Sequence, residues 1–261
     1  MILDDLTAAV AKRLVTDKQQ VPPEVMKQRA LAAPKKEGFP FERNLKKPGL
    51  SFICEVKKAS PSKGLIAPDF PYVAIAKEYE QAGAAAISVL TERDYFLGSP
   101  QYLQEIAAAV DTPVLRKDFI IDEYQLLQAR IVGADAVLLI AACLTQEECA
   151  TLTARAHALG LEVLLEIHTF SELAYVNADV DMVGVNNRNL GTFVTDVKNS
   201  FHIAEKLRQI PATALDSSDS PSLPLLVSES GISHPETICR LRAAGFRGFL
   251  IGETFMKTHR P

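Results

Sequence analysis

The sequence predicts an α/β protein, a (β/α)8 TIM barrel with an N-terminal helical extension, and three observations support this fold class. The length of 261 residues with 48% hydrophobic content suits one α/β barrel or two ordinary domains. A recurring unit, in which a helix ends at a glycine and an apolar strand follows at once, indicates a parallel sheet. The sequence contains eight candidate strands in all, and eight strands alternating with helices favour a closed barrel over an open, doubly wound sheet.

The recurring unit is clearest at four places where a small residue and a glycine directly precede an apolar run. Glycine at the end of a helix takes the left-handed conformation at little cost. A strand buried on both faces has a continuous apolar run, as is typical of parallel sheets. The four places are Ala82-Gly83-Ala84, Val132-Gly133-Ala134, Leu159-Gly160 and Ala244-Gly245.

The apolar runs define eight predicted strands, and several helix starts carry capping chemistry. The predicted strands are Ser51 to Val56, Ala85 to Leu90, Pro113 to Lys117, Ala136 to Ile140, Glu162 to Glu166, Met182 to Asn186, Leu225 to Ser228 and Gly248 to Ile251. The predicted helix starts are capping boxes at Thr145 with Glu148, Thr169 with Glu172 and Ser233 with Glu236, and Ser99 before Pro100.

Two segments lie outside the recurring unit. Residues Met1 to about Lys47 contain two helical stretches separated by Val21-Pro22-Pro23, and we expect them to pack against the barrel rather than form a second domain. The Ser-, Asp- and Pro-rich stretch Thr213 to Pro224 predicts a surface loop before the seventh strand. The sequence therefore predicts a single TIM-barrel domain over residues 1–261, with residues 1–47 as its extension.

Composition excludes several classes of function. A formal net charge of -4 leaves no basic field to hold nucleic acid, so any phosphate must be bound locally. The N-terminus is acidic where a signal peptide is basic, and the longest apolar run, Ala136 to Leu144, is too short to span a bilayer. The cysteines and histidines show no metal-ligand spacing. We expect a cytoplasmic protein with reduced thiols, no metal site, and no nucleic-acid or membrane partner.

Charged residues at the strand ends are the first candidates for function, because barrels of this kind place their active sites there. The first strand ends Ile53-Cys54-Glu55-Val56-Lys57, and the period of two puts Glu55 and Lys57 on the face of Ile53, which we expect to be the barrel interior. The alternative is a solvated strand end with flexible charges. The next segment, Ala59 to Gly64, lacks the leading glycine of a P-loop, so we interpret it as an active-site loop with hydroxyl and ammonium donors.

Two further strands end in ionisable side chains. Lys117 ends the third strand, where burial would favour the neutral amine and make the lysine a better proton donor. Alternatively, Lys117 pairs with Asp118. Glu166 ends the fifth strand after three aliphatic residues, and burial would raise its pKa towards the range of a general base. A structural ion pair with a neighbouring lysine would look the same in the sequence.

The last three strands are followed by polar residues and glycines. Asn186 and Arg188 lie in an asparagine-rich segment at the end of the sixth strand, which is either a simple turn or part of a site. Gly231 and Gly252 follow the seventh and eighth strands, where glycine lets backbone N–H groups approach a phosphate. An ordinary turn explains either glycine alone, but both together predict a phosphate site.

Five segments resemble, in order, the signature segments of the indole-3-glycerol phosphate synthase family, and the resemblance extends from about Leu3 to the C-terminus. It implies a carboxy-lyase of tryptophan biosynthesis that needs no cofactor. The substrate would be the phosphorylated small molecule 1-(2-carboxyphenylamino)-1-deoxyribulose 5-phosphate, which loses carbon dioxide and water to give indole-3-glycerol phosphate. The five segments are Glu55 to Gly64, Leu115 to Phe119, Asn186 to Leu190, Ser228 to Ile232 and Gly252 to Thr254.

The same resemblance implies roles for individual residues. Lys117 would be the general acid on the ketone during ring closure, and Glu166 the base in the later dehydration. Lys57 would contact the substrate carboxylate or phosphate and is a second candidate proton donor in dehydration. Glu55, Asn186 and Glu229 would line the reacting centre. The remaining residues would bind substrate: Arg188 and Ser60 the anthranilate carboxylate, Phe119 the ring, and the N–H groups of Ser230, Gly231, Gly252 and Glu253 the phosphate.

The sequence departs from the family pattern at two places. It ends at Pro261, whereas relatives continue past the position of Met256 into a last barrel helix, so we expect that helix to be missing. The stretch before the seventh strand is also longer than usual. For the oligomeric state, a monomer and a weak homo-oligomer both remain open.

Two other functions fit a phosphate-binding barrel. Phosphoribosylanthranilate isomerase also needs an acid and a base, but its reaction does not explain three strand-end cations facing a doubly anionic substrate, namely Lys57, Lys117 and Arg188. A non-catalytic barrel that binds a sugar phosphate would need the phosphate glycines without the acid and base.

Overall fold

The computed structural model describes residues 2–34, 38–189, 191–209 and 224–258. Eight parallel strands close into a barrel, which confirms the predicted fold. The first strand pairs with the second on one side and with the eighth on the other, and the strands between them follow in chain order. The predicted bounds agree with the observed ones to within one residue. The strands are β1 (Ser51–Val56), β2 (Ala86–Leu90), β3 (Val114–Lys117), β4 (Ala136–Ile140), β5 (Glu162–Ile167), β6 (Met182–Asn186), β7 (Leu225–Glu229) and β8 (Gly248–Ile251).

Helices surround the barrel and precede it. Two-residue strands, Ala59–Ser60 and Gly64–Leu65, form a hairpin in the loop after β1. Short 3-10 helices, Ala141–Cys143 and Phe170–Tyr175, follow β4 and β5. The α-helices are α1 (Ile2–Gln20), α2 (Pro23–Ala32), α3 (Pro40–Leu45), α4 (Tyr72–Gln81), α5 (Pro100–Ala107), α6 (Glu123–Ile131), α7 (Gln146–Ala158), α8 (Lys198–Gln209), α9 (Pro235–Ala243) and α10 (Glu253–Thr258).

Most of the predicted helix ends are confirmed. Gly83 and Gly133 both have φ of 85° and let the chain turn from a helix into the next strand. The capping boxes at Thr145 and Thr169 are present, and Ser99 caps α5. The capping box predicted at Ser233 with Glu236 is wrong, because α9 begins at Pro235. Proline favours the first helical position, so it moves the helix start past Ser233.

The N-terminal extension contains one more helix than the sequence predicted. α1 and α2 match the two predicted helical stretches, and α3 is additional. α2 packs along α6, and Arg130 donates a hydrogen bond to the Ala33 carbonyl at 3.0 Å. α3 covers the N-terminal opening of the barrel, where Phe41 and Leu45 are fully buried.

Two hydrophobic clusters form the core. One lies between the strands and the surrounding helices. The other joins the barrel interior to the extension, because inward residues such as Leu115 and Leu164 pack in the same cluster as Leu6 of α1 and Phe41 of α3. This shared cluster supports the prediction that the extension and the barrel form one domain.

Two predictions concern the ends and connections of the barrel. The predicted loop Thr213 to Pro224 lies outside the described residues, apart from Pro224. The short helix α10 follows β8, and the absence of a complete last barrel helix stays a prediction. Within the described ranges, no helix has both the length and the apolar character needed to cross a membrane.

Candidate active site

The carboxyl ends of the strands surround a cavity of 530 Å³. Leu3 and Leu6 of α1 form part of its wall, so the extension contributes to the site as well as to the core. Every predicted site residue except Glu229 lines this cavity. Glu229 lies behind Lys117 and is only 1% exposed. The predicted residues in the wall are Glu55, Lys57, Ser60, Lys117, Phe119, Glu166, Asn186, Arg188, Ser230, Gly231, Gly252 and Glu253.

Lys117 lies among three buried carboxylates at the floor of the cavity. Its Nζ is 2.9 Å from Oε2 of Glu229, 3.6 Å from Oε2 of Glu166 and 3.9 Å from Oε2 of Glu55. The four side chains come from β1, β3, β5 and β7. Alternate strands of a (β/α)8 barrel place their inward side chains in one layer, so this charge cluster is a layer of the barrel interior.

Two positions next to this layer, one on β6 and one directly after β8, are glycines. A Cβ on Gly184 of β6 would collide with the Glu229 carboxylate. A Cβ on Gly252, which follows β8, would collide with the Glu55 carboxylate. Gly252 was predicted from the access of a phosphate to the backbone, and the structure adds a second requirement. Glycines at these two positions let the carboxylates fit inside the barrel.

The expected charge state of Lys117 is wrong. Burial alone would lower the pKa of Lys117, but Glu229, Glu166 and Glu55 outweigh it and raise the pKa above its ordinary value. Lys117 is therefore a charged ammonium stabilised by the three carboxylates, rather than a neutral amine. The alternative pairing with Asp118 is also wrong, because Asp118 accepts from Arg116 at 3.0 Å and from the Thr91 hydroxyl at 2.6 Å.

The expected pKa shift of Glu166 is wrong in sign for the same reason. Burial alone would raise its pKa, but Lys117, His168 and Asn186 outweigh burial and lower it. For Glu229 the balance is reversed. Burial and the Glu166 carboxylate raise the pKa of Glu229, and Lys117 offsets only part of that rise. Two buried carboxylates that contact the same ammonium therefore have pKa values shifted in opposite directions.

Glu55 and Lys57 meet on the inner face of β1, as the alternation predicted. Lys57 Nζ donates to Oε1 of Glu55, and the two side chains are 16% and 5% exposed. Burial opposes the ionisation of Glu55, but Lys57 and Lys117 outweigh it and lower the pKa. The alternative of a solvated strand end with flexible charges is wrong.

Asn186 and Arg188 form a turn at the end of β6 and also line the cavity. The Asn186 amide donates to Oε1 of Glu166 at 3.1 Å, and its oxygen accepts the Arg188 N–H at 3.0 Å. The Arg188 guanidinium donates to the Ser62 hydroxyl at 2.6 Å and lies 3.9 Å from the Glu253 carboxylate. Through these contacts the end of β6 joins the loops after β1 and β8 in one polar rim.

The lining of the cavity includes an apolar surface and a buried hydroxyl. Phe119 and Phe96 lie 6.3 Å apart between ring centroids, and Leu138 and Ile140 of β4 continue the surface. The Ser60 hydroxyl is buried in the wall and has no hydrogen-bond partner among the described residues. A buried polar atom of this kind is costly unless a ligand satisfies it.

The predicted phosphate residues lie together on the opposite side. Ser230 and Gly231 have φ of 67° and 74°, so the backbone after β7 turns through the left-handed region. Gly252 and Glu253 lie beside them after β8, and Lys57 lines the same cavity. The Glu253 carboxylate pairs with Lys257 at 2.6 Å, which lowers the pKa of Glu253 and offsets its charge near this backbone.

His168 is a residue of the site that the sequence argument missed. It follows Glu166 by two residues at the end of β5, its side chain is 7% exposed, and its Nε2 lies 3.1 Å from Oε1 of Glu166. The alternation that linked Glu55 to Lys57 would have identified it. The search for histidines examined only metal-ligand spacing, which His168 does not have.

Comparison with known proteins gives a consistent result. The family model described as indole-3-glycerol phosphate synthase matches residues 3–260. The indole-3-glycerol phosphate synthase of Bacteroides thetaiotaomicron is 55% identical over 221 residues, covering 85% of this chain and 80% of that protein. That of Endomicrobium trichonymphae is 48% identical, covering 99% of this chain and 95% of that protein.

A solved structure supports the fold independently. Tryptophan synthase subunit alpha from Legionella pneumophila matches with a TM-score of 0.57, covering 84% of this chain and 88% of that one. The sequence identity is 14%, so this likeness concerns the barrel alone.

Proposed function

Because this chain belongs to the indole-3-glycerol phosphate synthase family, we propose which of its residues carry each step of that reaction. The chain is a decarboxylating lyase of tryptophan biosynthesis. It converts 1-(2-carboxyphenylamino)-1-deoxyribulose 5-phosphate to indole-3-glycerol phosphate, carbon dioxide and water. The observation that carries the assignment of roles is the position of the Lys117 ammonium among three carboxylates at the floor of the cavity.

Lys117 is the general acid of ring closure. When the aromatic carbon attacks the ketone, the carbonyl oxygen becomes an alkoxide, which is basic enough to take a proton from an ammonium of raised pKa. The carboxylates keep Lys117 charged before the step, so the proton is present when the substrate arrives. Glu229 has a raised pKa and lies 2.9 Å away, and we assign to it the return of a proton to Lys117.

Glu166 is the base of the dehydration. Its lowered pKa keeps the carboxylate ionised, and it lines the cavity beside Lys117. A carboxylate of low pKa is a weak base, so it acts on a substrate proton that has itself become acidic. The cation formed when water leaves supplies such a proton. Glu55 holds Lys57 in place and completes the negative layer.

The polar groups of the cavity set the direction of the substrate. The free Ser60 hydroxyl and the Arg188 guanidinium suit the anthranilate carboxylate, and Phe119 lies on the apolar side where the ring fits. The backbone of Ser230-Gly231 and Gly252-Glu253 receives the phosphate, and Lys57 adds a full charge. The reacting ketone then lies over Lys117.

A structure with a bound substrate analogue tests this orientation. We expect the phosphorus between the Ser230-Gly231 and Gly252-Glu253 backbones and within reach of the Lys57 ammonium. A phosphate found beside Lys117 and β3 would reverse the orientation and remove Lys117 from the ketone.

Cellular context extends the proposal. A phosphorylated substrate does not cross membranes freely, so we place the enzyme in the cytoplasm, where such intermediates are made. We also propose a monomer or weak homo-oligomer formed from a single domain, since the extension shares its core with the barrel. Sedimentation at increasing protein concentration distinguishes the two assembly states.

A further inference from the structure

The two oxygens of the Glu166 carboxylate have different surroundings. Oε1 receives the Asn186 amide at 3.1 Å and lies 3.1 Å from the His168 imidazole. Oε2 faces Lys117 at 3.6 Å. Asn186 and His168 therefore hold the Glu166 side chain at Oε1, and Oε2 is the oxygen that faces Lys117 and the reacting centre.

His168 is placed to hold that first oxygen without touching substrate. The residues that line the cavity include Glu166 and Asn186, and among the described residues His168 is not one of them. Neither ring nitrogen has an aligned hydrogen-bond partner among the described residues, so the 3.1 Å approach acts as a contact between charges.

We propose that His168 is a positioning residue for the base: its imidazolium holds Oε1 of Glu166, keeps that carboxylate ionised and turns Oε2 towards the substrate. This inference rests on the proposed role of Glu166. It assigns His168 an electrostatic part in dehydration and no direct contact with the reacting atoms.

The charges around His168 support an imidazolium. Glu166 lies on the same strand, Glu172 lies 3.8 Å from Nδ1 in the following 3-10 helix, and Glu229 approaches from β7. Burial favours the neutral ring, but these three carboxylates outweigh burial and raise the pKa of His168. Lys117 of β3 faces the other oxygen of the Glu166 carboxylate, at 3.6 Å.

Two further contacts fix the backbone of His168, and one more side chain nearby is neutral. Asn199 of α8 donates to the His168 carbonyl at 3.0 Å. Glu172 accepts the His168 backbone N–H, which fixes the start of the 3-10 helix. Cys143, after β4, faces the same carboxylates and is kept as a neutral thiol because burial and Glu166 raise its pKa.

Three variants separate charge from packing. His168→Gln keeps a polar side chain of similar reach and removes the charge, whereas His168→Ala removes both. His157→Gln is the matched control, because His157 is the other histidine among the described residues that pairs with a carboxylate, Asp181 at 2.8 Å, but lies at the opposite end of the barrel.

We expect His168→Ala to lower kcat by about 10- to 100-fold, with KM changed by less than about twofold, because binding groups are untouched. The acidic limb of the kcat profile should move up by about one pH unit, since loss of a neighbouring cation raises the pKa of Glu166. His168→Gln should show the same shift of the limb and recover part of kcat. His157→Gln should match the wild type in all three measurements.

Direct titration of Glu166 separates this inference from the proposed function. The ¹³C resonance of its δ-carboxyl, identified by its absence in Glu166→Gln, is followed without substrate. A higher titration midpoint in both His168 variants, together with the shifted limb, supports the proposal. An unchanged midpoint overturns it. A shifted midpoint with an unshifted limb instead overturns Glu166 as the base.

Discussion

Glu162 and Glu166 lie on the same strand of the barrel, both are buried, and their pKa values are shifted in opposite directions. Glu162 is at the N-terminal opening, where it accepts the N–H groups of Phe41 at 2.8 Å and Glu42 at 2.6 Å. Burial raises its pKa from 4.5 to about 7 in spite of these hydrogen bonds. At the other opening, Lys117 and His168 reverse the effect of burial on Glu166. A buried carboxylate takes its charge state from the cations around it.

The two openings therefore have different tasks. The N-terminal opening is covered by α3, and the Glu162 carboxyl group caps that helix. The C-terminal opening holds an ammonium among carboxylates and faces a cavity. Changes at the first opening should alter stability, and changes at the second should alter turnover.

The largest effect on turnover is expected for Lys117→Ala. It removes the ring-closing acid and should lower kcat by at least about 100-fold, as is usual for general acid catalysis. The measurement is single-turnover formation of the fluorescent indole product, with circular dichroism to verify folding. Near-normal turnover in a folded variant would exclude Lys117 as the acid.

Glu166→Gln should have the next largest effect. The amide keeps the size of the side chain and most of its hydrogen bonds but cannot accept the proton, so turnover should fall by about 100-fold while substrate still binds. Rapid quenching should show carbon dioxide released before the indole product forms. If the product forms at the wild-type rate, the base is elsewhere, and Glu55 is the first alternative.

Glu162→Gln should change stability and leave turnover unaltered. Between pH 4.5 and about 7 the unfolded chain has lost the Glu162 proton while the folded protein keeps it, so the wild type loses stability as pH rises through this window. The unfolding free energy of the wild type should therefore fall by roughly 3 kcal/mol relative to the variant. Urea unfolding of both proteins at several pH values measures this difference, and a constant difference would contradict the assignment.

Two glycines at opposite ends of β8 provide the smallest and most closely matched comparison. A Cβ on Gly252 meets the Glu55 carboxylate, so Gly252→Ala should lower turnover by about tenfold through displacement of Glu55. A Cβ on Gly248 meets Val227 at 3.0 Å and Leu45 at 3.5 Å, so Gly248→Ala should cost about 1–3 kcal/mol of stability with normal turnover. If both variants lost turnover, or both lost stability, the two ends of the barrel would not have separate roles in turnover and stability.

The sequence predicted positions better than it predicted charge states. Apolar runs and alternation located the strands and placed Glu55, Lys117 and Glu166 at one end of the barrel, because strand direction fixes which residues end there. The pKa shifts of Lys117 and Glu166 could not follow from their own strands. The largest contributions that outweigh burial come from charged side chains on other odd-numbered strands, which only barrel closure brings within 4 Å.

The missed elements had weaker local signals. α3 is six residues long, too short for a hydrophobic period to be recognised, although Pro40 at its first position is a typical helix start. The predicted start of α9 was too early, since Ser233 has the right chemistry but Pro235 fixes the backbone. Side-chain pattern and backbone restriction disagreed there, and the proline prevailed.

The hydrogen bonds that hold α3 also constrain the order in which the chain assembles during synthesis. Phe41 and Glu42 donate to a carboxylate 121 and 120 residues farther along, and Lys18 of α1 pairs with Asp122 across a separation of 104. The first helices leave the ribosome long before these partners are made. The apolar face of the extension therefore stays exposed to solvent until β5 has been synthesised. Docking of α3 onto the N-terminal opening is then a late step in the folding of the barrel.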